Sequence, residues 1–149
     1  MGKALIAVGT LLCLFFAVFG GVVYFTRDED TYAVDSVLSE KISKAVAEAR
    51  PEDPVDLRTL TGFDFDRVLI FAPGTPRDDI SEELGFTFKG ELRYTAESSE
   101  IFVFTNNGGF VRFADYRGPG RFEGLERPFA SLTANDAVFT VRDGVARPG

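Results

Sequence analysis

The chain has 149 residues, 16 Lys and Arg against 23 Asp and Glu, and a net charge of −7, which leaves room for one ordinary domain and argues against nucleic acid as a partner, because that partner rewards clustered Lys and Arg. It has no histidine and a single cysteine, Cys13. His-based acid–base catalysis, Ser-His-Asp and Cys-His nucleophiles, His or Cys zinc sites and an intramolecular disulfide therefore all lack their parts.

From Ala4 to Phe25 no residue is charged, and a helix of that length spans about 33 Å, enough for a hydrocarbon core of about 30 Å. The stretch is apolar on every face, unlike an amphipathic soluble helix. Tyr24 suits an interfacial anchor, and Gly20-Gly21 is tolerated in a lipid-embedded helix. Two processing alternatives compete with a retained transmembrane helix: cleavage after Val18-Phe19-Gly20, and a lipoprotein in which Cys13 of Thr10-Leu11-Leu12-Cys13 is lipidated. Lys3 is the sole basic residue before the helix, which favours an inside amino terminus and a translocated domain. Everything from Arg27 onward carries about −8, since only Lys3 precedes it. The expected organisation is a transmembrane helix at 4–25, a juxtamembrane segment at 26–34 and an extracytoplasmic α+β domain at 35–145.

Within the domain, Val34, Leu38, Ile42, Ala45, Val46 and Ala49 recur at helical spacing, which predicts a helix from about Asp35 to Arg50. Asp35 or Ser36 caps its start, and Pro51 and Pro54 stop it. Its polar face carries Glu40, Lys41, Lys44 and Glu48. Val68-Leu69-Ile70-Phe71-Ala72 is a short apolar run that predicts a central strand buried on both faces. Thr75 is expected to cap a second helix with Pro76 at its first position and Gly85 as its stop.

The Asn106-Asn107-Gly108-Gly109 turn predicts a hairpin. A regular ladder sets Thr105 opposite Phe110, Phe104 opposite Val111 and Phe102 opposite Phe113, so that Phe102, Phe104, Val111 and Phe113 share one face; a slip of one residue would bury Arg112. Phe86 to Lys89, Leu92 to Tyr94 and Val138 to Val141 are further candidate strands, and Arg117-Gly118-Pro119-Gly120-Arg121 is loop material. The fold class expected is α+β, with helices packed on one face of a mostly antiparallel sheet.

The segment from Phe63 to Pro76, closed by Leu84-Gly85-Phe86, resembles a motif of an uncharacterised bacterial exported or membrane-anchored protein family: an aromatic-Asp-Arg-Val strand, a Pro-x-Thr-Pro turn, and a short helix ending in Leu-Gly. The similarity covers about residues 57 to 141, and this chain departs from it with Phe65 in place of Trp and Gly74 in place of Tyr. The resemblance implies an exported bacterial domain and carries no activity with it.

The Pro73-Gly74-Thr75 turn into a helix, with Arg77, has the form of an anion cradle, yet Asp78 and Asp79 already place negative charge there. Asp64, Asp66, Asp78, Asp79, Glu82 and Glu83 hold the groups a cation site or a carboxylate-dependent hydrolase would use, at spacings that match no Ca²⁺ loop. Ser39, Ser43, Lys41 and Lys44 are the pieces of a Ser-Lys dyad on one helix. No catalytic residue, metal ligand or cofactor is assigned on these grounds. Arg77, Arg112, Phe110 and Tyr116 are the candidate binding residues, because Arg and aromatic side chains anchor interfaces. The functional expectation is a noncatalytic, membrane-anchored domain that binds an envelope protein or ligand; a small carboxylate hydrolase is the alternative.

Overall fold

The structure, a computed structural model, describes residues 31–92 and 99–149. The hydrophobic stretch at 4–25 and part of the candidate strand Leu92 to Tyr94 lie outside the described residues. No helix among the described residues is long and apolar enough to cross a membrane.

The helix expected first is α1, Ser36–Glu48, and its buried side chains Leu38, Ile42 and Val46 keep the three-to-four spacing that predicted it. Asp35 caps it by accepting from Leu38 N–H at 3.0 Å, a contact that stabilises a helix start by about 1 kcal/mol. A short strand β1 (Val55–Asp56) and one helical turn α2 (Leu57–Leu60) follow. β2 (Arg67–Phe71) is the predicted central strand, with Val68, Leu69, Ile70 and Phe71 all buried.

α3 runs from Arg77 to Leu84 and closes on Gly85. Its start is one residue later than the capping pattern implied: Pro76 occupies the cap position with no side-chain bond, and the Thr75 hydroxyl instead donates back to Ala72 O at 2.7 Å. Phe86 to Lys89 forms no strand, although Phe88 is fully buried. Tyr32 and Val34, assigned above to the juxtamembrane segment, pack with Phe88, and Tyr32 N–H bonds Lys89 O at 2.9 Å.

The remaining chain is β: β3 (Glu100–Asn106), β4 (Gly109–Tyr116), β5 (Arg121–Phe122), β6 (Phe129–Thr133), β7 (Val138–Arg142) and β8 (Val145–Pro148). Together with β1 and β2 these strands build two four-stranded sheets, in the orders β4-β3-β2-β6 and β1-β7-β8-β5, antiparallel except for the β5–β8 pair. The α+β class and the mostly antiparallel pairing are as expected. The single sheet with helices on one face is not: Leu38, Ile42 and Val46 of α1 pack with Val68, Ile70, Phe102 and Phe104, whereas Ile80 of α3 packs with Leu69, Phe71, Ile101 and Val103 on the opposite face. The reason lies in β2 and β3, which are apolar at every inner position and so need cover on both sides.

The hairpin forms at a two-residue turn, Asn107-Gly108, where both residues have positive φ, the geometry in which Asn-Gly is favoured. Thr105 lies opposite Phe110 as expected, but the ladder then shifts: Phe104 pairs with Arg112, Val103 with Phe113 and Phe102 with Ala114, leaving Val111 as the extra residue of a β-bulge. Phe113 therefore leaves the face of Phe102 and Phe104 and packs edge-on against Phe88 at 5.2 Å. The small Ala114 takes the place beside α1, which packs across β4. The slip does not bury Arg112. β4 is an edge strand, and the long side chain reaches out to Asp35.

Candidate functional site

Two clefts gather the side chains with chemical potential. The first, about 320 Å³, lies between α1 and the sheet and is lined by Asp35, Val37, Leu38, Lys41, Leu60, Gly62, Phe63 and Arg112. Its aromatic wall rests on the core, since Phe63 meets Phe104 edge-on at 5.5 Å and Phe65 packs against Phe104 at 5.0 Å. The bulge at Val111 turns Arg112 onto this wall, with its guanidinium 5.5 Å from the centre of the Phe63 ring, within the range of a cation–π contact. Arg112 also bonds Asp35 at 3.1 Å while its side chain stays 55% exposed. Val37 stands at the rim, 64% exposed, the one large hydrophobic side chain so exposed among the described residues. The cleft thus joins an apolar floor to two cationic side chains, Arg112 and Lys41, with a carboxylate between them and the helix start.

The second cleft, about 290 Å³, is lined by Pro73, Ser99, Glu100, Tyr116, Arg117, Gly118, Gly120 and Arg121. Glu100 is buried at the start of β3, directly across the ladder from Tyr116. Burial pushes its carboxyl above the usual glutamate range, and Arg127, bonded to it at 3.1 Å, pulls the other way. Tyr116 is buried too; its hydroxyl accepts from Gly120 N–H at 3.1 Å, and desolvation raises its phenol. The Gly118-Pro119-Gly120 loop wraps this ring so closely that a side chain on Gly118 would collide with the Tyr116 hydroxyl. Next to it, Asp115 is buried with Ser39 Oγ at 2.9 Å and Arg117 Nε at 2.6 Å.

The four residues singled out from sequence do not converge. Arg112 lines the first cleft and Tyr116 the second. Phe110 is half-buried and stacked on Tyr32, with ring centres 3.8 Å apart, so it completes the packing on the far face of the sheet. Arg77 is exposed in the first turn of α3 and lines neither cleft. Among the acidic residues, Asp66 and Glu83 share a third cleft, with Arg67 and Ser131. Asp66 accepts from Asn107 N–H at 2.7 Å and so braces the hairpin turn, while Asp78 and Asp79 sit at the start of α3. No group of three or more acidic side chains is placed to hold a metal ion among the described residues. Ser39 is buried against Asp115, and Ser43 Oγ donates to Ser39 O at 2.8 Å, so the hydroxyls of both serines are spent on structure.

Sequence reading missed Glu100 and Phe63 as site residues and named Lys41 only as part of a Ser-Lys dyad. A signal for Glu100 was present: alternation from Phe104 through Phe102 reaches Glu100 on the same inward face. Lys41 and Phe63 carried no such signal, because their meeting depends on how α1 crosses the sheet. No family model, curated protein or solved structure matches the chain.

Proposed function

We propose that this chain is a noncatalytic binding domain of the bacterial envelope, held at the cytoplasmic membrane by its uncharged stretch at 4–25 and facing outward. The Arg112 cleft is its docking site for another envelope protein. The reading rests on one observation above the rest: an arginine, half-exposed and set against an aromatic ring, borders an apolar floor with an exposed valine at the rim. Arg and aromatic side chains at such a place supply most of the energy of a typical interface. The partner that fits presents an apolar side chain to Leu38, Leu60 and Phe63 and a carboxylate to Arg112 and Lys41. The resemblance to exported bacterial proteins supports the location, and the acidic remainder of the chain suits the water-exposed side.

The test is a photo-reactive residue placed at Val37 in the full chain, activated in intact cells. A discrete adduct in the membrane fraction is expected, weakened at least several-fold by Arg112→Glu. An adduct that Arg112→Glu and Lys41→Glu leave unchanged would refute the docking site, and full-length chain recovered in the soluble fraction would refute the tether.

The second cleft favours a different reading. A buried carboxyl with a raised pKa beside a tyrosine is the form a general acid takes, which moves the carboxylate-hydrolase alternative from Asp64, Asp66 and Asp78 to Glu100. A hydrolytic activity lost in Glu100→Gln and kept in Arg112→Glu would select it.

A further inference from the structure

The second cleft holds polar atoms that the fold leaves unused. Ser99 and Glu100 line it and are buried, with 4% and 7% of their surface exposed. Glu100 spends one carboxyl oxygen, Oε1, on Arg127 at 3.1 Å; its Oε2 and the Ser99 hydroxyl have no hydrogen-bond partner among the described residues. No fully enclosed side-chain nitrogen or oxygen among those residues lacks a partner, so these two oxygens are not enclosed and reach the cleft. The Tyr116 hydroxyl accepts from Gly120 N–H and keeps its own proton to donate. Buried side chains seldom leave such groups unpaired, which makes these the atoms a bound molecule would satisfy.

Two guanidinium groups flank them. Arg117 is held through Nε to Asp115 at 2.6 Å, and Arg121 through Nε to Glu123 at 2.7 Å. Each pairing fixes the direction of a five-donor fork and leaves N–H groups over, and the two side chains are 50% and 72% exposed.

The set selects its ligand by charge. A cation would meet Arg117 and Arg121, and an anion would meet Glu100 in a chain of net charge −7. A neutral molecule with several hydroxyls meets neither objection, because each hydroxyl both donates and accepts. At about 290 Å³ the cleft is at the small end of ligand sites, with room for one ring rather than a chain.

We propose that this cleft binds a single neutral hexose ring, either as a free sugar or as the end of a glycan. One ring hydroxyl donates to Glu100 Oε2, and its neighbours accept from Ser99, Tyr116 and the spare N–H groups of Arg117 and Arg121. The inference goes beyond the hydrolase reading of the same cleft, since it needs no bond to be cleaved, and it is separate from the docking site at Arg112.

The test is isothermal titration of the full-length chain, in a polyoxyethylene detergent that carries no sugar, with glucose, galactose and their uronate and amino counterparts. Saturable binding of a neutral hexose is expected, with its charged counterparts weaker by about tenfold. Cellobiose or lactose binding more tightly than the free hexoses would assign the site to a glycan end, and weaker binding would assign it to a free sugar. Ser99→Ala should weaken hexose binding about fivefold and leave the melting temperature unmoved, because that hydroxyl bonds nothing in the fold; a purely structural serine would show the reverse. Glu100→Gln removes the acid that hydrolysis needs and keeps an oxygen acceptor, so binding retained without turnover separates this site from the hydrolase reading. No hexose binding up to about 10 mM, charged sugars binding more tightly than neutral ones, or binding unchanged in Ser99→Ala would each overturn the site.

Discussion

On one face of the central sheet, α1 and the second sheet together cover Val68, Ile70, Phe102 and Phe104, and α1 alone supplies Leu38, Ile42 and Val46. On the other face, α3 fully buries Ile80 and packs Leu84 beside it, and Phe88, Tyr32, Val34 and Leu92, which lie outside any helix or longer strand, add to the cover. The difference teaches how a strand apolar at every inner position is accommodated. Regular elements cover the side where the hydrophobic surface is continuous with a second sheet, and irregular segments close the smaller side with single large side chains. It also places the clefts: both open along the margin of the larger face, where an exposed or charged residue ends a buried row.

The sharpest way to break this comparison is Phe104→Asp. Phe104 has no exposed surface and contacts Phe63 and Phe65, so a carboxylate there should destabilise the chain by about 4 kcal/mol or more in chemical denaturation. An unchanged midpoint would remove the assignment of Phe104 to the larger core. Ile80→Ala probes the smaller face. Because Ile80 is the only buried residue of α3, a loss of about 3 kcal/mol is expected, along with faster hydrogen exchange in α3 than in α1. Equal exchange in the two helices would mean that the faces do not differ in the way their cover suggests.

Ser39→Ala should have a smaller effect, about 1–3 kcal/mol. The hydroxyl it deletes serves both the buried carboxylate and the N–H of Asp115, and thermal melts of Ser39→Ala against Ser43→Ala would separate that loss from general helix effects. The smallest effect is one of pH. Burial lifts the Glu100 carboxyl above its ordinary range, so the folded chain holds this proton more tightly than the unfolded chain does. Its contribution to stability is full below about pH 4.3, the ordinary glutamate value, and is lost as pH rises through the raised folded value. Glu100→Gln should flatten that decline, measured as the midpoint of unfolding against pH. A decline of unchanged slope would assign it to other groups.

The two longer helices and the hairpin turn were legible because their causes are local. Apolar spacing and the Asp35 cap define α1, and Asn107-Gly108 defines the hairpin turn. The register beyond the turn was not legible. Thr105 and Phe110 pair as turn chemistry requires, but the bulge at Val111 arises because a regular ladder would press Phe113 against α1, where Ala114 fits. Likewise Arg112 stood out as a candidate from its type and its hairpin position, while nothing in the sequence placed Lys41 and Phe63 in the same cleft.

By itself, then, the sequence determined the two longer helices, the central strand, the hairpin turn and the strand at Val138, an uncharged stretch long enough to span a bilayer, and the absence of every chemistry that needs histidine or paired cysteines. Only the tertiary structure decided that there are two sheets, that both faces of the central one are covered, and that Glu100 meets Arg127 and Ser39 meets Asp115. The physical reason is range. Propensity, capping and turn geometry act over a few neighbouring residues, whereas these pairs, 27 and 76 residues apart in the chain, are set by which side chains fit when strands and helices close on one another.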